Sequence, residues 1–197
     1  MNVITRPPPR PMNRPVIGQV RIIAGSLRGS KLPVADRPGL RPTADRARET
    51  LFNWLQQELA GRRVIDLFAG SGALGFEAAS RGAAEVLMLE RDAGLATSLR
   101  DTAMRLKTDM VHVEAVDALG WLGRPSARRF DIAFIDPPFE AGLWQSAADA
   151  VAPWLADRAW VHVELAPGAS FSPPAGWILH REAVTRGTRH QLFRAEG

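Results

Sequence analysis

The sequence contains no cysteine and no long apolar segment. Without cysteine the chain has no disulfide, no thiolate metal site and no cysteine nucleophile. No apolar run approaches the roughly 18 to 20 residues that a membrane-spanning helix needs, and the N-terminus lacks the apolar centre of a signal peptide. We therefore predict a cytoplasmic protein with no membrane-embedded part and no bound metal.

The basic residues are concentrated in the N-terminal quarter of the chain. Residues 1–48 carry ten basic and two acidic side chains, a net charge of +8, whereas residues 49–197 have a net charge of −4. This asymmetry predicts a polyanionic partner bound to the N-terminal part, the alternative being a solvated basic segment without a partner. Residues 1–18 are also rich in proline, so we predict a disordered arm that can follow a nucleic acid through phosphate contacts.

Beyond the arm the pattern predicts a single α/β protein with a small N-terminal extension. Its 197 residues, 46% of them hydrophobic, suffice for one substantial core. Residues 19–60 are predicted to form a β-hairpin over Val20–Val34 and an amphipathic helix. Residues 61–197 alternate strands and helices, which indicates a mostly parallel sheet. The predicted strands are Val64–Phe68, Glu85–Leu89, Met110–Ala115, Phe130–Ile135 and Trp160–Glu164, followed by an antiparallel hairpin of Trp177–Val184 and Arg189–Arg194.

The predicted sheet centres on Val64–Gly75, an apolar strand that runs into a glycine turn. Three glycines match G-x-G-x-x-G, a pattern of nucleotide-binding turns, although small residues at such turns can serve tight packing alone. Asp66 lies inside the apolar strand. Because burial of an unpaired carboxylate is costly, Asp66 is expected to face a ligand with a positive or donating group. Glu90 ends the next apolar run, where nucleotide-binding folds place the carboxylate that holds ribose hydroxyls.

A second informative segment, Asp136-Pro137-Pro138-Phe139, follows the predicted strand Phe130–Ile135 directly. It forms a rigid turn at the carboxyl end of a strand, the edge at which open α/β sheets bind ligands. The turn offers a carboxylate, fixed carbonyl acceptors and an aromatic face. This combination fits a nucleobase amino group, whose lone pair two acceptors would localise while the aromatic ring stacks on the base. A stiff loop without function is the alternative.

Two other classes of protein account for part of this pattern. A nicotinamide dehydrogenase would use the glycine turn and Glu90, but it gives no reason for Asp66 or for the turn that begins at Asp136. An RNA-binding module without catalytic activity would explain the basic N-terminus alone. Both alternatives remain open at the level of these residues.

The residues also resemble one known family. The resemblance rests on Arg21-Ile22-Ile23-Ala24-Gly25, Arg41-Pro42-Thr43, Arg48-Glu49-Thr50-Leu51-Phe52-Asn53 and Asp66-Leu67-Phe68-Ala69-Gly70-Ser71-Gly72, with the Asp-Pro-Pro-Phe tetrapeptide. These motifs are similar to those of the RsmD family of class I S-adenosylmethionine-dependent methyltransferases. The resemblance covers about residues 20 to 195. It implies a Rossmann-like, seven-stranded, mostly parallel sheet with an antiparallel C-terminal strand, preceded by the hairpin and helix as an RNA-docking and cofactor-covering extension.

The activity that the resemblance implies is methyl transfer to N2 of guanine 966 in 16S ribosomal RNA, by direct in-line attack of a flipped base. The tetrapeptide is shared with adenine-N6 enzymes, so an adenine-N6 nucleic-acid methyltransferase is the alternative. The target base would be held by Asp136, Pro137, Pro138 and Phe139. S-adenosylmethionine would be bound by Asp66, Phe68, Gly70, Ser71, Gly72, Glu90, Arg91, Asp117 and Ala118.

Within that implied cofactor site, Asp66 would face the ammonium group, Glu90 the ribose hydroxyls and Asp117 the adenine amino group. The expected partner is 16S rRNA within a small-subunit assembly intermediate, and the expected state is a monomer. The basic residues predicted to contact RNA are Arg10, Arg14, Arg28, Lys31, Arg41 and Arg46.

Overall fold

The computed structural model describes residues 16–35, 45–124, 127–185 and 188–196. Within these ranges the chain forms a two-stranded sheet and a seven-stranded sheet. The proline-rich arm predicted over residues 1–18 lies outside the described residues up to position 15, as does Arg41. None of the described helices is long and apolar enough to cross a membrane.

The N-terminal extension is an antiparallel hairpin followed by a helix. Strand β1 (Val16–Arg21) pairs with β2 (Lys31–Ala35), and helix α1 (Asp45–Trp54) comes next. The hairpin prediction is confirmed, but β1 begins before the predicted start and therefore includes residues 16–18, which were assigned to the arm. Leu51, Trp54, Leu55 and Leu59 are spaced as on one face of a helix, but α1 ends at Trp54. Leu55 and Leu59 are still buried, because the turns after the helix keep them against the core.

The seven-stranded sheet confirms the predicted α/β architecture. Its order is β5-β4-β3-β6-β7-β9-β8. Neighbours from β5 to β7 are parallel, and β9 runs antiparallel to both β7 and β8. The strands are β3 Arg63–Asp66, β4 Glu85–Glu90, β5 Val111–Ala115, β6 Phe130–Ile135, β7 Leu155–Leu165, β8 Trp177–Thr185 and β9 Thr188–Ala195. The connecting helices are α2 Ala73–Ser80, α3 Ala93–Leu106, α4 Ala118–Leu122 and α5 Trp144–Val151.

Each face of this sheet has its own hydrophobic core. One core contains residues of the N-terminal hairpin and of helices α1, α2 and α3, and the other contains residues of α4 and α5. Every residue of α2 is buried, which fits its predominantly apolar and small side chains. The hairpin therefore covers the face of the sheet on which the glycine turn leads into α2.

Strand order places the predicted functional segments together. Strand β3 is paired with β4 on one side and with β6 on the other, so the strand order reverses between β3 and β6. In open α/β sheets this reversal leaves a crevice at the carboxyl ends of the two strands. Asp66 ends β3, and Asp136 follows β6, so both segments meet at this crevice.

The region after α5 differs from its prediction. The sequence pattern predicts a helix from Leu143 to Leu155 that Pro153 should kink or end, and in the structure α5 ends at Val151 and a 3₁₀ turn, Ala152–Trp154, follows. Pro153 lies in this turn, and proline cannot continue the hydrogen bonding of an α-helix. Strand β7 then starts at Leu155 rather than at Trp160.

Candidate active site

A cavity of about 660 Å³ opens at the carboxyl ends of β3, β4, β6 and β7. It brings together the two segments that the sequence predicted to carry chemistry. All four predicted target-base residues line it, as do all the predicted cofactor residues except Gly72. The predicted residues on its wall are Asp66, Phe68, Gly70, Ser71, Glu90, Arg91, Asp117, Ala118, Asp136, Pro137, Pro138 and Phe139.

Gly72 shapes the glycine turn without lining the cavity. Its backbone has a φ of +76°, and an added Cβ would lie 2.6 Å from Leu99 Cδ2 and 2.7 Å from Phe76 Cδ2. Any larger side chain would therefore be strained and would also clash with the core. Gly72 directs the chain into α2, while its neighbours Gly70 and Ser71 form the cavity wall.

Asp66 is buried at the floor of the cavity. Neither of its carboxylate oxygens has a hydrogen-bond partner among the described residues. Burial raises the pKa of Asp66 to about 7, and the nearby charges of Asp136 and Glu90 add to this rise. The backbone amides of Gly75 and Phe68 lie close enough to lower it in part, but neither makes a hydrogen bond of normal geometry to the carboxylate. A buried carboxyl without a well-formed hydrogen bond is costly, so the site is suited to a cationic group.

Glu90 and Asp117 are held by backbone amides at the cavity rim. Glu90 Oε2 accepts a hydrogen bond from the Gly70 amide at 2.9 Å, and its Oε1 accepts one from the Asp92 amide at 2.8 Å. Asp117 is exposed and caps α4 by accepting from the Gly120 amide at 2.9 Å. Both carboxylates keep lone pairs for further donors, and their orientation is fixed by the fold.

The Asp136 segment leaves the sheet as a rigid turn. Pro137 is buried and Pro138 exposed, while Phe139 is half-buried. The Phe139 ring packs against Trp144, with ring centroids 6.2 Å apart and planes inclined by 49°. Because Phe139 lies on the cavity wall and is supported from behind, its exposed face can receive a flat ring.

The cavity wall includes two buried titratable residues that the sequence analysis did not assign to the site, Glu164 and His190. Glu164 is buried near the end of β7, and burial followed by the nearby charge of Asp136 raises its pKa to about 8. His190, on β9, is also buried, which lowers its pKa. An acid that closes an apolar strand was the signal that identified Glu90, and the same signal was available for Glu164. His190 lies in the closing hairpin and had no comparable signal.

The three described residues that were predicted to bind RNA do not line the cavity. Arg28 and Lys31 are exposed in and after the loop that joins β1 to β2, and Arg46 is exposed near the start of α1. Arg10, Arg14 and Arg41 lie outside the described residues. Within the ranges that the structure describes, no group of three or more His, Asp or Glu side chains is placed to hold a metal ion.

Comparisons with known proteins agree with this fold. Residues 20–194 match a family model described as conserved hypothetical protein 95. Over 182 residues the chain is 42% identical to ribosomal RNA small subunit methyltransferase D of Escherichia coli K12, covering 91% of each protein.

Solved structures show the same architecture. That of the methyltransferase yhhF from Escherichia coli is 40% identical, with a TM-score of 0.84, and the match covers 91% of this chain and 99% of that one. The Thermus thermophilus 16S rRNA N2 G1207 methyltransferase RsmC, solved with AdoMet and guanosine, is 24% identical and shares the fold with a TM-score of 0.68, over 91% of this chain and 50% of that one. The chain therefore belongs to the conserved hypothetical protein 95 family, the RsmD family, which includes the ribosomal RNA small subunit methyltransferase D proteins.

Proposed function

We propose that this protein transfers a methyl group from S-adenosylmethionine to the exocyclic N2 of a guanine in 16S ribosomal RNA. One observation carries the proposal: buried Asp66 and the Asp136-Pro137-Pro138-Phe139 turn line the same cavity, in a chain that is 42% identical to an rRNA small subunit methyltransferase. A cofactor and a base bound to these two segments would share one pocket.

The residues around Asp66 fit the cofactor. Its buried carboxylate, which has no hydrogen bond of normal geometry, is suited to the ammonium group of the methionine part, because a nearby positive charge would compensate for the hydration that burial removes. Glu90, fixed by two amides, would accept from the ribose hydroxyls. Asp117 would accept from the adenine amino group beside the buried Ala118. S-adenosylmethionine bound in this way would supply an electrophilic methyl group.

The Asp136 turn would hold the guanine. The Asp136 carboxylate and the Pro137 carbonyl would accept the two N2 hydrogens, which localises the nitrogen lone pair, and Phe139 would stack on the base. Stacking of a base on an aromatic side chain is typically worth roughly 1 to 3 kcal/mol. The guanine must leave its own stack to enter this pocket, as for other enzymes that modify bases.

Transfer would then be a direct displacement in line with the bond that breaks. The N2 lone pair forms the new carbon–nitrogen bond while the electrons of the sulfur–carbon bond stay on sulfur. The alkylated nitrogen releases one proton, for which the Asp136 carboxylate is an acceptor on the same wall. The residues lower the barrier by positioning and by preorganised electrostatics.

The RNA would dock on the basic N-terminal extension. Exposed Arg28, Lys31 and Arg46 are suited to phosphate contacts that position the RNA without reading its sequence. We assign the same role to Arg10, Arg14 and Arg41. We further propose that the enzyme acts as a monomer on a small-subunit assembly intermediate, in which protein binding can present the target guanine.

The test is a methylation assay followed by nucleoside mass spectrometry. Full-length protein is incubated with labelled S-adenosylmethionine and either free 16S rRNA or partly assembled small subunits. We expect N2-methylguanosine, with more product from the particle. N6-methyladenosine would support the adenine alternative instead, and the absence of any methylated nucleoside from both substrates would contradict the proposal.

Site assignment is tested by Asp136→Ala beside Asp101→Ala, a change to an exposed acid on α3. Asp136→Ala should bind the cofactor but lose turnover, because one of the two acceptors for N2 is gone. Asp101→Ala should retain both. Activity that survived in Asp136→Ala would show that the base is held elsewhere.

A further inference from the structure

Glu164 is a second carboxyl on the cavity wall next to Asp136, and the methyl transfer proposed above gives it no role. Val163 on β7 lies opposite Ile135 on parallel β6, so the residues that follow, Glu164 and Asp136, come side by side at the same end of the sheet. The backbone of Glu164 is anchored, because its carbonyl accepts a hydrogen bond from Trp144 Nε1 at 2.6 Å.

The Glu164 carboxyl is buried but incompletely satisfied. The residue is 8% exposed, and Oε2 has no hydrogen-bond partner among the described residues. His190, opposite Glu164 on antiparallel β9, places Nδ1 3.7 Å from Oε2, beyond a hydrogen bond of normal length. Buried polar atoms without a partner are rare in folded proteins and call for an explanation. Since Glu164 lines the cavity, the simplest explanation is that a donor on a bound ligand completes its hydrogen bonding.

The edge of guanine supplies such a donor at the required place. Its N2 amino group is adjacent to N1–H, so the two groups present donors side by side. A guanine whose N2 is held by Asp136 would direct N1–H toward a neighbouring acceptor. In adenine the ring nitrogen beside the amino group is itself an acceptor, which an ionised carboxylate would repel.

We propose that Glu164 accepts the N1–H of the target guanine and thereby selects guanine over other bases that carry an amino group. The inference rests on the proposed function, since it requires N2 to be held by Asp136. Two adjacent carboxyls on neighbouring strands would then match two adjacent donors on one base edge. His190 borders Glu164 from the far side and restricts the positions that the carboxyl can take.

The test compares guanine with 2-aminopurine at the methylated position of the RNA, introduced by splinted ligation. 2-Aminopurine keeps the amino group but has no hydrogen on N1. The assay is run at about pH 8.5, above the pKa of Glu164, which is raised to about 8, so that most of its carboxyl is ionised and can only accept hydrogen bonds. We expect wild-type kcat/KM to be about 10- to 100-fold lower for 2-aminopurine, the range for loss of a hydrogen bond to a charged group.

Glu164→Met should remove this preference by lowering kcat/KM for guanine and by raising it for 2-aminopurine, whose N1 lone pair would no longer face a carboxylate. A structural defect would lower both values together, and that result would overturn the inference. Cofactor affinity of the variant, measured calorimetrically, is expected to equal that of the wild type.

Glu164→Gln provides a second measurement if the methionine variant does not fold. Its amide oxygen can accept from guanine and its amide nitrogen can donate to N1 of 2-aminopurine. The kcat/KM for 2-aminopurine should therefore rise, and its difference from the value for guanine should become smaller. An unchanged preference in both variants would contradict the role of Glu164. If the wild type does not methylate guanine N2 at all, the proposed function fails, and the two failures are thus distinguishable.

Discussion

Glu77 Oε2 accepts a hydrogen bond from the backbone amide of Ile23 at 2.7 Å. Its other oxygen accepts from the amide of Ala24 at 3.0 Å and from Arg81 Nε at 2.8 Å. Glu77 is fully buried on α2, the helix that follows the glycine turn. The connection that follows β1 is thus tied to α2, the helix that begins at the glycine turn on the cavity wall.

We expect Glu77→Gln to destabilise the protein strongly. The amide would turn its NH₂ group toward a backbone N–H, and Arg81 would lose its charged partner. Breaking a buried ion pair by changing one partner typically costs about 3 to 5 kcal/mol. Urea denaturation followed by circular dichroism measures the loss in free energy of unfolding.

Glu58→Gln is the matched control for this change. Glu58 is partly exposed and lies 4.0 Å from Arg62 and 3.9 Å from Arg194. Exposed pairs contribute about 0 to 1 kcal/mol, so the control should unfold at nearly the wild-type urea concentration. Equal losses in the two variants would contradict the anchoring role of Glu77.

The stability of the ligand-free protein should fall as the pH rises from about 6.5 to 8.5. Asp66 and Glu164 have folded-state pKa values of about 7 and about 8, above the ordinary values of 3.8 and 4.5. The folded state therefore holds more protons than the unfolded state in this interval, and its stabilisation is lost as these groups ionise. Differential scanning fluorimetry across pH should show a falling melting temperature.

Below about pH 6.5 two buried histidines act in the opposite direction. Burial, together with the nearby charge of His190, lowers the pKa of His162 to about 3, and burial lowers that of His190. Acid therefore favours the unfolded state, in which both histidines become protonated.

Glu164→Gln should make the melting temperature fall less steeply above pH 6.5. At pH 8.5 it should raise the melting temperature by about 2 to 4 °C, the shift that about 1 kcal/mol produces in a chain of this size. A decline of wild-type steepness in this variant would rule out Glu164 as its source.

The affinity for S-adenosylmethionine should weaken as the pH falls below about 7. An ammonium group binds the ionised form of Asp66, whose pKa is raised to about 7; the ligand's own amino group deprotonates near pH 8. The affinity is thus expected to be highest between about pH 7 and 8. Below pH 6 it should fall about tenfold per unit, since each unit costs about 1.4 kcal/mol.

Isothermal titration calorimetry in buffers of different ionisation enthalpy measures both this affinity and the protons exchanged. Asp66→Asn should bind S-adenosylmethionine weakly, and its affinity should no longer fall as the pH decreases below about 7. Asp101→Asn, a change to an exposed acid on α3, should leave the profile unchanged. If the affinity of Asp66→Asn still fell below about pH 7, a group other than Asp66 would cause the loss of affinity.

Neutralising Arg28 and Lys31 together should weaken RNA binding at low salt and flatten its salt dependence. Each lost phosphate contact reduces the slope of log K against log salt by about 0.7 to 0.9, so the double variant is expected to lose about 1.5 in slope while its cofactor affinity is unchanged. Filter binding of rRNA at several salt concentrations provides the slope. The control is Arg124→Gln, at an exposed arginine that follows α4 on the opposite face of the sheet. This variant should keep the wild-type slope of log K against log salt. A slope unaltered by the double change would place the RNA on another surface.

Phe139→Leu should reduce methylation without reducing cofactor binding. The change keeps an apolar contact with Trp144 but removes the flat face for the base, worth roughly 1 to 3 kcal/mol or about 10- to 100-fold in kcat/KM. Steady-state kinetics on the preferred rRNA substrate measure the loss, and Phe139→Trp should restore part of it. A rate for the leucine variant equal to that of the wild type would show that the base does not stack there.

Much of the fold and of the site follows from local sequence patterns. Short apolar runs predicted the strands of the large sheet, because the burial of a parallel strand on both faces leaves its signature in consecutive residues. Asp66 inside one such run, Glu90 at the end of the next and the Asp136 turn were visible for the same reason. A strand end is a local feature, and a carboxylate within an apolar run stands out wherever the strand lies in the sheet.

Only the tertiary structure determines which of these strand ends lie next to each other. The order β3-β6-β7-β9 depends on how crossovers pack the strands, and it sets Glu164 between Asp136 and His190. The tertiary structure also gives Glu77 a role that the sequence does not indicate. Its carboxylate accepts hydrogen bonds from the amides of Ile23 and Ala24 and so holds the hairpin against α2. The pKa values of Asp66 and Glu164 come from burial and from charges on neighbouring strands. They arise from contacts between segments distant in the chain, which no local pattern records.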